Sequence, residues 1–305
     1  MEIAAREIMT MQTESEPAPW TYWGFYVEAQ TVGATVSMAK AGSPPTVSLE
    51  YSVNGGRTWS SFDADGGTTT VTLAAVGDRA CFRAVTTNAT LASSTTAYHK
   101  FVFGKNVAVG GNILSLLSSA EISAFPSTDS SASLCLSGLF YGATMLVDAS
   151  ALVLPDSAMP QYCYFSMFYG CTSLAAAPAL PATTLADSCY YSMFNGCSKL
   201  TAAPALPATT LAITCYSQMF YGCSKLTAAP ELPATKLASY CYRQMFYNCT
   251  RLRQITTAHT AWRPTSATTN WVNGVASSGT FTCPSALPQT RGTNNIPNNW
   301  TIVTT

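Results

Sequence analysis

Eight of the eleven cysteines recur at one fixed spacing in the second half of the chain. They occupy the first and ninth positions of four similar segments: Cys163/Cys171, Cys189/Cys197, Cys215/Cys223 and Cys241/Cys249. Such pairs could bind a metal ion, form disulfides or fill a core as small reduced side chains. Zinc-binding pairs are usually separated by about two to four residues, and positions eight apart on a helix lie about 12 Å apart, too far for a disulfide. We therefore expect buried, reduced thiols and neither a metal nor another cofactor.

The other groups that could do chemistry are scattered along the chain. The two histidines, His99 in a β-like segment and His259 in a polar loop, have no partner in any motif. No glycine-rich phosphate loop occurs. Eight equivalent cysteines also argue against one activated thiolate, which would need a base beside it. We therefore do not expect an enzyme.

Composition narrows the range of partners. Only 10% of the 305 residues are charged, against about 25% in an average soluble domain. Fifteen basic residues balance fifteen acidic ones, which argues against nucleic acid as the main partner, because phosphate binding needs a basic surplus. No apolar run approaches the ~18 residues that indicate a membrane span. Residues 1–10 lack the long apolar stretch of a secretory signal.

The cysteine pairs belong to a repeat of constant period, whose copies start at Cys163, Cys189, Cys215 and Cys241. The copies begin CYFSMFYGCTSL, CYYSMFNGCSKL, CYSQMFYGCSKL and CYRQMFYNCTRL, and a connector of the form L-x-A-A-P-x-L-P-A-T-x-L-A follows. A degraded copy, CLSGLFYGATML, begins at Cys135, slightly further from Cys163 than the period predicts. A fixed period in the twenties predicts a solenoid, in which each copy buries its apolar face against its neighbours.

The spacing inside one copy predicts a short helix followed by an extended segment. Cys189, Met193 and Cys197 are four residues apart, which places them on one helical face. Gly196 is expected to end the helix in a left-handed conformation, and Asn248 is the usual substitute in the last copy. Prolines in the extended segment keep any strand there short.

The remaining chain divides into three parts around the repeats. An acidic, proline-containing segment comes first and is interpreted either as an attachment arm or as a frayed terminus. Seven short β-like segments follow, WGFYVEA, ATVSM, TVSLEYS, TWSSF, TTVTLAA, ACFRAV and YHKFVF. They alternate with turn signals and predict a sandwich. The predicted domains are an N-terminal arm (1–19), a β-sandwich domain (20–112), the repeat region (113–252), opened by an apolar plug, and a C-terminal cap (253–305) that contains Trp271 and Trp300.

One turn of the β-domain resembles a hairpin of sialidases. Residues 52–59, SVNGGRTW, are similar to the Asp-box S-x-D-x-G-x-x-W, with Asn54 in place of Asp. Its expected role is mechanical, because Asn-Gly tolerates positive φ and Trp59 can pack beneath the turn. The arginine cluster, tyrosine nucleophile and acids of a sialidase cannot be assembled from this sequence.

The repeat itself resembles the BspA-type leucine-rich repeat. The resemblance is carried by M-F-x-G-C-x-x-L and the following L-P pair, which are similar to the family's A-F-x-x-C-x-x-L and Ile-Pro strand end. The longer unit, the leading Cys-Tyr and the proline in the strand depart from that pattern. The resemblance covers about residues 135–252 and implies a short leucine-rich-repeat-like solenoid there. With the β-sandwich and the C-terminal cap expected from the flanking segments, the predicted fold is mixed α/β. The resemblance also implies a protein of gut anaerobes or their phages, in which such repeats are surface-displayed adhesion modules.

Differences between the copies predict where a partner would bind. Positions that are constant are expected in the core or in turns, and positions that vary are expected on the surface. The variable positions are rich in aromatic residues and Arg, which are enriched at binding surfaces. The alternative is that half-buried tyrosines only shield the flank of the repeats. The predicted binding residues are Phe165, Tyr169, Tyr191, Tyr221, Arg243, Gln244 and Tyr247.

These features favour a non-catalytic recognition or adhesion module on a phage virion, as a fibre or decoration protein that contacts the host surface. Its partners would be a host-surface protein or glycan, and the virion or surface assembly through the N-terminal arm. The expected location is the virion or an extracellular surface. The alternatives are a bacterial surface adhesin of the BspA-like kind, which neighbouring export and anchoring genes would indicate, and a glycan-active enzyme, which turnover of a glycan panel would reveal.

The cysteine interpretation can be tested directly. Mass spectrometry of the alkylated, unreduced protein should find every thiol modified and no bridge between the paired positions. A Cys189–Cys197 disulfide would contradict the assignment of these residues to a reduced core.

Overall fold

A computed structural model of the chain describes residues 24–88, 90–118 and 134–305. Within these residues the chain is almost all β, with 26% in strands and 2% in helix, arranged in several sheets. The predicted mixed α/β fold with a leucine-rich-repeat-like solenoid is therefore wrong. The expected N-terminal arm, residues 1–19, lies outside the described residues. No helix in the described part is long and apolar enough to cross a membrane.

Ten strands in two sheets build the N-terminal part. They are β1 (Tyr26–Ala29), β2 (Ala34–Ala41), β3 (Leu49–Ser52), β4 (Ser60–Phe62), β5 (Val71–Leu73), β6 (Arg79–Ala84), β7 (Ala92–Ser94), β8 (Ala97–Phe103), β9 (Val107–Asn112) and β10 (Leu146–Val153). One sheet has the order β10-β9-β1-β6-β3-β4 and the other β5-β2-β8-β7. Each of the seven predicted β-segments contains or overlaps a strand, whereas β7, β9 and β10 were not predicted.

The two sheets face each other across an aromatic core. Strand β2 alternates buried and partly exposed residues, as expected for a strand with one face in a core. Phe82 of one sheet and Phe101 of the other have ring centroids 5.2 Å apart. Phe25 lies against both rings, at 6.0 and 5.2 Å. These contacts hold the two layers together.

The hairpin between β3 and β4 has the mechanical role expected from its sequence. Gly55 and Gly56 have φ of 73° and 85°. Asn54 accepts a hydrogen bond from the Thr58 N–H through its Oδ1 at 3.0 Å. The indole of Trp59 donates to the Gly56 carbonyl at 3.0 Å, so this side chain closes the turn.

The larger sheet continues past residue 112 into the repeat region. Strand β10, which follows the degraded first copy, pairs with β9 in parallel. Between them a short 3₁₀ helix (Ile113–Leu116) is fully buried, and the Asn112 side chain caps it by accepting the Leu114 N–H at 3.0 Å. The apolar plug expected here therefore lies in the interior. One continuous core includes residues from both sides of the predicted domain boundary.

The predicted helix of each repeat is replaced by a ribbon of consecutive turns. In the copy that begins at Cys189, every second N–H donates to the next copy: Ser192 to Ser217 O and Phe194 to Met219 O, both at 2.9 Å. The intervening N–H groups donate three residues back within the copy. An α-helix would instead bond every N–H four residues back.

Left-handed conformations recur every four residues along this ribbon. Gly196 and Asn248 have φ of 78° and 57°, as predicted, although they end no helix. Ser188 and Ser192, with φ of 56° and 53°, adopt the same conformation and were not predicted. A non-glycine residue costs roughly 1–2 kcal/mol there. The hydrogen bonds between copies compensate for this strain.

In every four residues of the ribbon, two are fully buried and the next two lie on the outer side, where large side chains are partly exposed and small ones such as Ser192 and Asn195 are buried. Tyr190 and Phe194 stack on their equivalents Tyr216 and Phe220, with ring centroids 5.8 and 5.7 Å apart. The expected core positions Met193, Phe194 and Leu200 are all fully buried, which confirms that part of the prediction.

The C-terminal part extends the same stack. Strands β11 (Gln254–Thr256), β12 (Thr280–Cys283) and β13 (Thr301–Thr304) form a parallel sheet. Trp271 accepts the Phe246 N–H through its carbonyl at 2.9 Å, and its ring stacks on Tyr242 at 6.1 Å. Trp271 therefore covers the last repeat as predicted, while Trp300 is buried further along and donates to the Ala276 carbonyl.

The left-handed position in the ribbon gives a stability prediction. A Cβ at Gly196 would meet Gly170 Cα at 3.6 Å, an ordinary contact, so substitution there tests backbone strain alone. Gly196→Asn should lower the free energy of unfolding by less than about 1 kcal/mol, since Asn tolerates this conformation, and Gly196→Val by about 2 kcal/mol. Denaturant unfolding measures both. Equal stability of the two variants would contradict the left-handed assignment.

Candidate recognition face

The outward residues of the turn ribbons form one face of the repeat stack, which we name the recognition face. It consists of the positions of Tyr162, Phe165, Ser166 and Tyr169 and the equivalent positions of the other copies, including the degraded first one. The constant positions between them, such as Cys163, Tyr164 and Phe168, are fully buried. All seven predicted binding residues lie on this face.

Aromatic residues on this face stack in pairs between copies. Phe165 and Tyr191 have ring centroids 4.8 Å apart with planes 3° from parallel. Tyr221 and Tyr247 stack at 4.8 Å and 2°. Each of the four side chains is half-buried. Because one flat surface of each ring is covered by its partner, only the other flat surface and the edge of each ring remain for a ligand.

The aromatic pairs are separated rather than continuous. Asn195 lies between Tyr169 and Tyr221, and Ser217 lies between Tyr191 and Arg243, and these two small residues are buried. The structure therefore brings Phe165 together with Tyr191, and Tyr221 with Tyr247, but does not place Tyr169 in contact with either pair. The ring partner of Tyr169 is Tyr141, at 4.7 Å.

Polar side chains continue the stacking. The Ser192 hydroxyl donates to Gln218 Oε1 at 3.1 Å, and Gln218 Nε2 donates to Gln244 Oε1 at 2.9 Å. The side-chain oxygen of Gln244 is therefore already used within the stack. Arg243 is exposed, and its guanidinium carbon lies 5.9 Å from the centre of the Tyr240 ring, so it remains open to a partner.

Three aromatic members of the face, Tyr141, Tyr162 and Tyr240, were not among the predicted binding residues. Tyr141 belongs to the degraded first copy, where aligning its FYG with the FYG of the next copy would have found it. Tyr240 precedes the leading Cys of the last copy and is 43% exposed. Its position was recognised as variable, but it was not included among the binding residues.

The cysteines of the repeats form two columns inside the stack, one from the first and one from the ninth position of each copy. All eleven cysteines of the chain are free and buried, which confirms the expected burial. In the second column each thiol donates to a carbonyl of the preceding copy, for example Cys197 Sγ to Phe168 O at 3.2 Å. Burial raises the pKa of the Cys171 thiol to about 12 and that of Cys197 well above its usual value. Thiolates, the nucleophilic form, are therefore strongly disfavoured at neutral pH.

His99 has a partner that the sequence did not indicate. Its ring is fully buried on β8, with Nε2 2.9 Å from Asp65 Oδ1 and Nδ1 3.0 Å from the Leu91 carbonyl. Asp65 and Leu91 therefore contact the two ring nitrogens of His99, one each. Neither ring nitrogen is left to activate a nucleophile, and the pair fastens the Asp65 loop to the sandwich.

His259 lies in a different environment, in the C-terminal part. It is fully buried, and its Nδ1 lies 2.5 Å from the Thr257 hydroxyl. Its ring packs edge-on to Trp262 at 4.7 Å, and Nε2 has no hydrogen-bond partner. Burial lowers the pKa of His259 from 6.5 to about 4. The imidazole is therefore neutral at physiological pH.

Comparisons with known proteins leave the family open. Neither a scan against protein-family models nor searches of the curated proteins and of the solved structures found a match. Among the described residues, no group of three or more His, Cys, Asp or Glu is arranged to hold a metal ion.

The neutral state of His259 predicts a pH dependence of stability. Because its folded pKa of about 4 lies below the unfolded value of 6.5, the unfolded chain takes up a proton first as the pH falls. The contribution of His259 to stability is thus complete above pH 6.5 and is lost as the pH approaches 4. Between pH 7.5 and 4.5, wild type should lose about 2–3 kcal/mol more than His259→Phe.

Chemical denaturation of both proteins at the two pH values measures this difference. The variant retains every other titrating group, so it is the control for the pH dependence that these other groups cause in wild type. Parallel losses of stability would show that His259 is not held neutral.

Proposed function

We propose that this chain is a non-catalytic recognition module, displayed on a phage virion as a fibre or decoration protein, that contacts the host surface through the recognition face. The observation that carries the proposal is the division of labour within each repeat. Constant residues such as Phe194 and Cys197 are buried, whereas the large residues at variable positions are partly or fully exposed on one face. Variation there changes the surface without changing the core.

The composition of the face supports binding over simple shielding. Tyr221 and Tyr247 are pre-stacked, so little side-chain freedom is lost when a partner covers them. Exposed Arg243 adds a cation with a fixed fork of donors. Tyrosine and arginine are the residue types that most often dominate binding energies at interfaces.

The chemistry of the titratable groups supports a non-catalytic role. The raised pKa values of the buried thiols oppose cysteine nucleophiles. The ring nitrogens of His99 are both engaged. The Asp-box-like hairpin is occupied by its own hydrogen bonds, with Asn54 bound to Thr58 and Trp59 to Gly56.

The test replaces face residues by residues that the repeat already carries at the same position. The variant Tyr191→Ser, Tyr221→Asn, Arg243→Ser, Tyr247→Asn uses Ser217 and Asn195 as templates, so the stack should accept it. Binding to a panel of gut anaerobes should fall at least tenfold, because each lost anchor is typically worth about 2 kcal/mol.

A matched variant on the sandwich serves as the control. Val32→Ala, Val53→Ala, Val76→Ala, Arg57→Ala also removes three large side chains and one arginine from exposed positions. It should bind as wild type does. Circular dichroism and melting temperature must match for all three proteins, and undiminished binding by the folded face variant would contradict the proposal.

A further inference from the structure

The charges of this chain are strongly separated along its length. Residues 188–305 contain eight of the fifteen basic residues and one of the fifteen acidic ones, Glu231, which gives this part a net charge of +7. Residues 1–187 have the opposite net charge. A zero total therefore conceals a basic C-terminal part, and such asymmetry indicates interaction with a polyanion.

Three of these cations occupy one position in successive repeats. Lys199, Lys225 and Arg251 are equivalent residues of three consecutive copies and are exposed, and we name them the basic column. Each follows a recognition-face position, that of Asn195, Tyr221 or Tyr247, by four residues. The next position back carries a hydroxyl in every copy, from Thr172 and Ser198 through Ser224 to Thr250.

The spacing within the basic column follows from the stack. Equivalent rings on neighbouring copies lie 4.8 Å apart for Tyr221 and Tyr247, and 5.7 Å for Phe194 and Phe220. Successive cations are therefore anchored about 5 Å apart, as on adjacent strands. Like charges placed opposite each other on neighbouring strands repel and destabilise the fold.

No carboxylate of the described residues neutralises this column. In that part of the chain the ion pairs join Arg79 to Glu28 and Arg83 to Glu50, and Asp65 contacts His99, all in the sandwich. An external chain of anions would remove the repulsion among the three cations and release their counterions.

We propose that the basic column binds a linear acidic polysaccharide laid along the stack, with acid groups on the cations and hydroxyls on the adjoining Ser and Thr. This assignment rests on the proposed function and specifies its ligand class. A sugar ring is about as long as the spacing between copies, so consecutive sugars can meet consecutive repeats. In the proposed arrangement Tyr221 and Tyr247, which precede Lys225 and Arg251 by four residues, also face the polysaccharide.

The ring stacking disfavours single-stranded nucleic acid as the occupant. Proteins that bind single strands offer open aromatic faces on which bases stack. Here Tyr221 and Tyr247 cover each other, as do Phe165 and Tyr191. One surface of each ring is thus withheld from a base, and Asn195 and Ser217 interrupt the row of rings, so successive bases have no continuous stacking platform. An acidic sugar chain needs only hydroxyl and charged partners.

The experiment measures binding of polygalacturonate, dextran sulfate, neutral dextran and a single-stranded oligonucleotide by biolayer interferometry at low and physiological salt. Wild type should bind at least one of the two acidic polymers and not neutral dextran. The comparison of polygalacturonate with dextran sulfate distinguishes carboxylate from sulfate recognition. Lys199→Gln, Lys225→Gln, Arg251→Gln should weaken that binding at least tenfold.

A control of equal charge separates the column from the overall field. Lys40→Gln, Arg57→Gln, Lys105→Gln removes three exposed cations from the sandwich and should change affinity less than twofold. Equal effects of both variants, or no binding of either acidic polymer, would overturn the proposal. Tighter binding of the oligonucleotide, lost in the column variant, would overturn it in favour of nucleic acid.

The same variants distinguish this inference from the proposed function. Cells bound equally by wild type and by the column variant would leave the recognition module intact and exclude the acidic polysaccharide. Acidic polymer bound through the column without any cell binding would support the ligand class and contradict the host-surface role.

Discussion

The hydrogen-bond ladder between consecutive copies is the constraint on which the rest of the repeat region depends. Every second N–H of a turn ribbon donates to a carbonyl of the next copy, for example Ser192 to Ser217 and Phe194 to Met219. The ladder fixes the spacing of equivalent residues at about 5 Å, so each side chain packs against its own equivalent. Flat rings and small thiols satisfy that condition, which explains why Tyr, Phe and Cys recur in columns.

The ladder needs a template at one end and a cover at the other, because stacked units leave an open face at each terminus. The sandwich supplies the template: Phe140 of the first copy contacts Phe25 and Phe101, both at 5.9 Å, and Phe168 at 5.2 Å. Trp271 supplies the cover where the ring columns end. One aromatic path thus joins all parts of the described chain, and the sandwich and repeats share one core.

The sequence predicted the register and the buried positions but not the backbone. Met193, Phe194 and Leu200 were placed in the core correctly, because a repeated position must fit against itself. The helix was wrong because a period of four is common to an α-helix and to this ribbon, which buries two residues in every four. The ribbon is distinguished by left-handed Ser188 and Ser192, and no local propensity predicts a serine there.

The candidate site was predicted to a similar extent. Variation between copies located the recognition face, since the ladder fixes the inward positions and leaves the outward ones free. Contacts that join distant segments, such as His99 with Asp65, could not be found, because a pairing 34 residues apart depends on how β8 meets a loop. The three cations of the basic column occupy equivalent positions in the sequence repeats and could have been predicted from them. The zero net charge of the whole chain gave no indication of a basic surface.

Because packing restricts the inward positions and leaves the outward ones free, the stack can also tolerate outward groups that do not stabilise it. The columns of Cys, Tyr and Phe hold the copies together, so outward positions can carry repelling cations or interrupted tyrosine pairs at modest cost. Lys199, Lys225 and Arg251 repeat without a balancing acid, although a Glu or Asp in any one copy would have relieved the repulsion. A stack selected for stability alone would alternate the two signs. The row of three like charges is therefore not explained by the packing of the stack, and the proposed acidic ligand would supply the opposite charges.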